Sequence, residues 1–367
     1  MLSLATSSAT RSTVCGHLAD RQPQISVCIP TFNGAEHIRE CLESVLAQTF
    51  ADFEILVVED RSSDETPEII AEYMRRDARI RIVQNNENLG LVANWNRCVD
   101  LSKGRFIKFA FQDDVLFPEC LARLMRLVEE TRRPMVFCSR ELWFDEQIDQ
   151  SIRDEYDRHA TLKRLFAGVT QVSPEDIIAM VKARPINFFG EPTTALLDRT
   201  LFKRFGPFNT FLVHHSDVEY WIRVGIHTGI AFTAENLAAF RLHPSSTSSF
   251  NRTKRSFRAE YLDELVLMHE FAYNPSYDPL RRALEADSRN PKKEVAAKSE
   301  WLRAWAIRAA KSGDEGLLSE WNEVAAAFPR IRWTLHHLPI RARALLERNI
   351  GWRFRTENPG DGSGTDT

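Results

Sequence analysis

The chain has no CxxC pair and no Cys/His spacing suited to a metal site. Its six cysteines, Cys15, Cys28, Cys41, Cys98, Cys120 and Cys138, are scattered through expected strands and helices, and read as small buried hydrophobes in a reducing cytosol. No segment approaches the eighteen or so apolar residues needed to cross a bilayer, and residues 1–24 lack the unbroken apolar stretch of a secretory signal. A disordered tail is expected there, without a membrane span. Neither sign of charge dominates. With 48 Lys and Arg against 51 Asp and Glu, the net charge of -3 gives no sign of a nucleic-acid partner held by phosphate contacts.

What is present is an ordinary globular composition, 43% hydrophobic and 27% charged, over 367 residues. That length suits two domains, or one large domain with an appendage. From Ile25 a repeating unit begins. "ISVCIP" is a short β-rich apolar run, and Ile38, Cys41, Leu42, Val45 and Leu46 then recur at helical spacing. "FEILVVED" repeats the strand, "RSSDETPEIIAEYMRRD" the loop and helix, with Asp64 or a neighbour as cap and Pro67 in the first turn, and "RIRIVQN" is a further strand. "NLGLVANWNRCVDLSKG" predicts a helix closed by Gly104, before the strand "RFIKFAF". Apolar strands alternating with helices imply an α/β fold with a parallel sheet covered on both faces.

In such sheets, ligands bind beyond the carboxyl ends of the strands. The loops expected there are "PTFN", "EDRSSD" and "QDD", rich in donors and carboxylates, and none is a dinucleotide or Walker loop. In "FAFQDDVLFP" the adjacent Asp113 and Asp114 follow an apolar strand. Their mutual repulsion and desolvation need compensation by a cation or by hydrogen-bond donors. A plain alternative is a solvated turn in which Asp114 or a neighbour caps a helix starting near Pro118 and Glu119.

Further along, "PMVFCSREL" reads as a strand, residues 144–160 as a polar insertion, and Ser173-Pro174 as the start of a helix. "FGEPTTALLDRTLFKRFGPF" suggests a loop, a short strand and a Gly-Pro turn; "HHSDVEYWIRVGIHTG" is a helix and "IAFTAENLAAFRLHPSSTS" a strand ending in a polar loop. Beyond Phe250 the pattern is helical, and from Gly351 it loses its period. The expected division is therefore a tail (1–24), a catalytic domain (25–250), a helical region (251–350) and a disordered end (351–367).

"VCIPTFN", "ILVVEDRSSDET", "NENLGL", "FQDDVLFPE", "HSDVEYWIR" and "FRLHPSSTS" stand in an order and spacing that resembles the inverting family 2 glycosyltransferases, from about Ile25 to Ser249. The resemblance implies the nucleotide-sugar-binding GT-A fold, with a mostly parallel central sheet and here a C-terminal helical region. It implies Mg²⁺ or Mn²⁺ at Asp114 and His243, with Asp113 contacting the ribose or donor sugar. Pro30, Thr31, Phe32 and Asn33, with Asp60 accepting from a base N–H, would hold the nucleoside. Arg241 and His243 would lie on a loop folded over the diphosphate. Asp217 would be the general base, with Glu219 its rival and a helix cap its structural alternative. Three positions depart from the family's pattern: Glu59 and Ser216 replace common acids, and Trp95 stands near a common arginine.

The implied reaction is metal-dependent transfer of a sugar, with inversion, from a nucleoside diphosphate sugar to a hydroxyl of a saccharide or lipid-linked saccharide, in cell-surface polysaccharide or glycolipid synthesis. A nucleotidyltransferase would favour a glycine-rich basic loop after the first strand, where "PTFNGAEH" has one glycine and no lysine or arginine. An inactive GT-A-like binding module would have no need of Asp113, Asp114 and Asp217 together. The segment from Arg330 to Arg355 carries seven arginines against Glu347, interleaved with aromatics, and suggests a cytoplasmic protein in peripheral contact with the inner face of an anionic membrane, or simply a solvated basic surface.

Overall fold

A computed structural model describes residues 22–158, 161–183, 187–246 and 261–332. The basic segment from residue 333 onward, the tails at residues 1–21 and 351–367 and the end of the "HPSSTS" loop lie outside the described residues. The chain divides into two compact units. One comprises Met1–Thr210 and Asp217–Ser249, the other Phe211–Ser216 and Phe250–Thr367.

The first unit is built on a nine-stranded sheet. Its strands are β1 (Ile25–Thr31), β2 (Phe53–Glu59), β3 (Ile80–Gln84), β4 (Phe106–Phe109), β5 (Val115–Leu116), β6 (Met135–Phe144), β7 (Gln171–Val172), β8 (Ala195–Asp198) and β9 (Ile230–Leu242). The order is β3-β2-β1-β4-β8-β6-β9-β5, with β7 also on β9. β1 to β4 run parallel, and β8 is antiparallel to both β4 and β6. β9 runs parallel to β6, while β5 and β7 oppose it. Six of the nine strands therefore share one direction, a mostly parallel sheet with three reversed insertions.

Period decides which residues face which layer. Ile25, Val27 and Ile29 join Ile55 and Val57 in a core with Ile38, Cys41, Leu42 and Val45 of α1 (Ile38–Leu46), Ile69, Ile70 and Tyr73 of α2 (Thr66–Arg76), and Leu121, Leu124 and Val128 of α4 (Cys120–Thr131). Each aliphatic side chain fully buried there contributes roughly 1.5–3 kcal/mol. The alternate β1 residue, Cys28, points to the other face, its thiol within 3.2 Å of Ser102 Oγ beside α3 (Leu91–Leu101). Helices thus cover both faces, as parallel strands require.

Several expectations need correction in detail. α3 ends at Leu101 with Ser102 as its cap, so Gly104 does not close it. Gly104 is needed for close approach instead: a Cβ there would lie 2.4 Å from the Ser26 backbone nitrogen. α4 has Glu119 at its N-cap with no side-chain capping bond, and Asp114 caps nothing. The polar stretch after Phe144 contains a helix, α5 (Gln150–Arg158), whose Ile152 and Tyr156 pack on Phe240 and Leu242 of β9. Ser173 does begin a helix, α6 (Pro174–Ala183), its Oγ accepting from Asp176 N at 3.1 Å.

In the second unit, helices Asp263–Tyr273, Pro291–Lys311 and Gly316–Ala327 gather Leu262, Leu265, Val266, Leu302, Ala306, Trp321 and Val324 into a core of their own, with a further helix at Asp278–Ala286. Asn290 caps the long helix by accepting from Lys293 N at 3.1 Å, ahead of Pro291. The fully buried Asp263 carboxylate accepts the backbone amides of Val213, His214 and His215 at 2.5–3.1 Å, fastening the strap at 211–216 to these helices.

Candidate active site

The loops beyond β1, β2, β3 and β4 are tied to one another by side chains. Asn33 adopts a left-handed backbone (φ 49°), which its short polar side chain tolerates, and its Oδ1 accepts from Ser63 N at 2.8 Å. Gly34 donates to Thr66 Oγ1 at 2.8 Å. Gln112 clamps the peptide of Phe32 from both sides, its Oε1 accepting from Phe32 N at 2.9 Å and its Nε2 donating to Phe32 O at 3.1 Å. Phe32 itself is 46% exposed, whereas Pro30 and Thr31 are buried within β1. The loop expected to hold a nucleoside is therefore fixed to the residue that precedes Asp113.

Asp60 follows β2 and is buried. Its carboxylate accepts from Asn85 Nδ2 at 2.8 Å, Leu89 N at 2.8 Å and Gly90 N at 3.0 Å. Three donors to one anion compensate its burial and set the course of the 85–90 loop. Glu59 is fully buried and accepts from Gln84 Nε2 at 2.8 Å. Trp95 belongs to an aromatic cluster, stacked on Phe111 at 5.0 Å between centroids and edge-on to Phe208 at 5.6 Å.

The two adjacent aspartates have different surroundings. Asp114 is 1% exposed, and its carboxylate accepts from Thr193 Oγ1 and from Arg241 N at 3.1 Å. Burial, and next the charge of Asp113, push its carboxyl well above the usual carboxylate range. Asp113 is the more open of the pair, and its Oδ2 lies 3.2 Å from His243 Nε2. Arg241 is the penultimate residue of β9 and not part of a loop, a correction that follows from its pairing with Trp143 of β6. Its Nε donates to Asp113 O at 3.0 Å, its guanidinium pairs with Glu40 and lies over the Trp143 ring at 5.2 Å. His243, just past the strand, is held through Nδ1 by Ser245 Oγ at 2.9 Å.

This donor set fits a hard divalent ion. The Asp113 carboxylate meets the His243 imidazole, and Asp114 is the next residue in the chain, an oxygen and nitrogen set that suits a hard cation. Among the described residues no three His, Cys, Asp or Glu side chains are grouped so as to hold a metal ion, so a protein contribution of two ligands is the most this site offers. Mg²⁺ and Mn²⁺ commonly bind through one or two carboxylates with waters and substrate phosphates completing the shell.

Asp217 is the second residue of α7 (Ser216–Thr228), so it is not the helix cap. It is 9% exposed, and its Oδ2 accepts from Asn187 Nδ2 at 3.2 Å. Asn187 also shapes the turn that follows, accepting the amides of Phe189 and Gly190 at 3.1 Å each. Gly190 (φ 114°) needs to be glycine, since a Cβ would meet Thr194 Oγ1 at 2.8 Å. Three residues on, Thr193 donates to Asp114, so one short segment carries the partners of both carboxylates. Glu219 is turned away into a buried ion pair with Arg223 at 3.0 Å, and Arg223 donates to the carbonyls of Phe205 and Pro207. Gln112, Asn187 and Thr193, which no sequence pattern singled out, complete the arrangement.

Comparison with known proteins bears on the family and the fold. The family model for glycosyl transferase family 2 matches residues 26–206. An uncharacterised protein of Mycobacterium tuberculosis is 33% identical over 229 residues, 62% of this chain and 70% of the relative. An uncharacterised glycosyltransferase of Rickettsia prowazekii is 26% identical over 233 residues, 62% of this chain and 66% of the relative. Among solved structures, the mannosyltransferase PcManGT from Pyrobaculum calidifontis, in complex with GDP-Man and Mn²⁺, superposes with a TM-score of 0.52 at 17% identity, over 89% of this chain and 86% of that one. That likeness concerns the fold, which is of GT-A type. Its strands, loops and matched span together make this chain a member of glycosyl transferase family 2.

Proposed function

We propose that the chain is a metal-dependent, inverting glycosyltransferase of the cytoplasm that moves a sugar from a nucleoside diphosphate sugar to an acceptor hydroxyl. The observation that carries this reading is the meeting of Asp113 and Asp114, just past β4, with Arg241 and His243 at the end of β9. Asp114 and His243 would hold Mg²⁺ or Mn²⁺, which when bound stabilises the charge growing on the departing diphosphate, and Asp113, beside His243, would contact the ribose or donor sugar. Arg241 adds a guanidinium able to bind phosphate oxygens in bidentate fashion, exchanging Glu40 for the ligand. The Pro30–Asn33 loop and Asp60 would take the nucleoside.

Asp217 would accept the proton of the acceptor hydroxyl as its oxygen bonds to the anomeric carbon. The carbon–oxygen bond to the diphosphate breaks on the opposite face, and its electron pair leaves with the nucleotide. Asn187 holds the carboxylate oriented for that role, while Glu219 is committed to Arg223. The acceptor is a saccharide or lipid-linked saccharide by family resemblance. No described helix is long and apolar enough to cross a membrane.

A panel of nucleotide sugars tests the proposal, with release of nucleoside diphosphate followed in Mn²⁺, Mg²⁺ and EDTA. Metal-dependent release from at least one donor is expected. Release that is unaffected by EDTA would refute the metal's part, and no release or transfer from any donor would refute the activity.

A further inference from the structure

α1 starts just beyond the Phe32–Gly34 loop, and its N-cap residue is His37. The side chain makes no capping hydrogen bond, so local helix energetics give no reason for a histidine here. Its ring instead meets the ring of His243 edge-on, with centroids 4.7 Å apart. Its Nε2 is buried without a hydrogen-bond partner, since Glu36 Oε2 at 3.8 Å is beyond hydrogen-bond reach. A buried polar nitrogen left unpaired costs on the order of 1–3 kcal/mol, and such groups in folded proteins ordinarily have a partner.

His243 is thereby held on two sides, by Ser245 through Nδ1 and by the His37 ring. That is the arrangement by which outer groups orient a metal ligand. Because no three His, Cys, Asp or Glu side chains among the described residues are grouped closely enough to share an ion, His37 acts outside the ion's own shell.

Resting on the proposed metal-dependent transfer, we infer that His37 is a positioning residue of the ion and diphosphate site: its ring orients His243, and its Nε2 hydrogen-bonds an oxygen of the bound metal–nucleotide unit, either a water on the ion or a phosphate oxygen.

Two variants separate these contributions. His37→Phe keeps an aromatic edge against His243 and deletes the nitrogen, while His37→Asn keeps a polar group and deletes the ring. Bound Mn²⁺ is read by electron paramagnetic resonance as each protein is titrated with Mn²⁺ in the presence of UDP or GDP, and thermal unfolding is recorded in EDTA. Loss of an outer partner typically costs 10–100-fold in metal affinity, so both variants are expected to hold Mn²⁺ with nucleotide at least about tenfold more weakly, with metal-free unfolding unchanged. Wild-type affinity in His37→Phe overturns the hydrogen bond, and wild-type affinity in both variants overturns the role of His37 altogether. A wild-type protein that takes up no Mn²⁺ with either nucleotide overturns the site reading on which the inference stands. If one variant fails to fold, the other carries the test.

Discussion

His243 Nε2 and Asp113 Oδ2 lie 3.2 Å apart across 130 residues of sequence. β9 brings them together by running beside β6 and pairing with β5, which follows Asp114 directly. Two side chains in direct contact are not independent, so their losses should not add. Asp113→Asn and His243→Ala are each expected to lower kcat/KM by a large factor, and the double variant by little more than the worse single one. Steady-state kinetics of the four proteins measures this, and fully additive losses would place the two residues in separate roles.

Asp217→Asn should bind donor as the wild type does and lose roughly 10²–10⁴ in turnover, the usual share of a general base. Glu219→Gln should behave differently. It removes the Glu219 charge that pairs with the buried Arg223, a change that costs roughly 3 kcal/mol in stability. Urea unfolding and single-turnover kinetics on both variants tell them apart. A stable Glu219→Gln protein without turnover, beside an active Asp217→Asn, would reverse the assignment.

Gly190→Ala tests the segment that joins the two carboxylate sites. A Cβ at φ 114° and 2.8 Å from Thr194 Oγ1 forces the turn to move, at a cost of about 1–3 kcal/mol for the strained backbone. The Asn187–Asp217 hydrogen bond should loosen with it, so turnover should fall alongside the unfolding midpoint. Stability that falls while turnover is untouched would separate the turn from the chemistry.

Lys298 gives a pH dependence in the helical unit. Burial, the largest influence, lowers its pKa below 10.5 despite the opposing pull of Glu264. The unfolded chain therefore binds more protons between the lowered value and 10.5, and stability contributed at this site rises with pH across that window. Lys298→Met should flatten the rise in urea unfolding measured from neutral pH to pH 10.5. An unchanged slope would show that Lys298 is not its source.

The first half of the sheet was legible because its signals are local. Ile25, Val27 and Ile29 alternate on one face, and Ile38, Cys41, Leu42 and Val45 repeat at helical spacing. The reversed strands were harder to read. β5 and β7 are two residues each, too short to carry a period, and β8 is set by its neighbours β4 and β6. Gly104 resembled a helix cap in sequence, and only the approach of Ser26 explains it. The acidic candidates stood out because paired charge at a strand end is costly. Asn187, Thr193, Gln112 and His37 did not, since a neutral side chain in a loop signals nothing until its partner is known. Arg241 was assigned to a loop because its strand continues farther than the apolar run suggested.

The most direct measurement is a calorimetric titration of nucleoside diphosphates into the wild type and Asp114→Asn, each in Mn²⁺ and in EDTA. Asparagine mimics the shape of the buried carboxyl; its Oδ1 can accept from Arg241 N while its Nδ2 donates to the Thr193 hydroxyl, so the variant should fold. The wild type is predicted to bind at least one nucleoside diphosphate in Mn²⁺ and to lose that binding in EDTA, and Asp114→Asn to lose it in both. Equal affinity with and without the ion, or metal-dependent binding that survives in Asp114→Asn, would contradict the account.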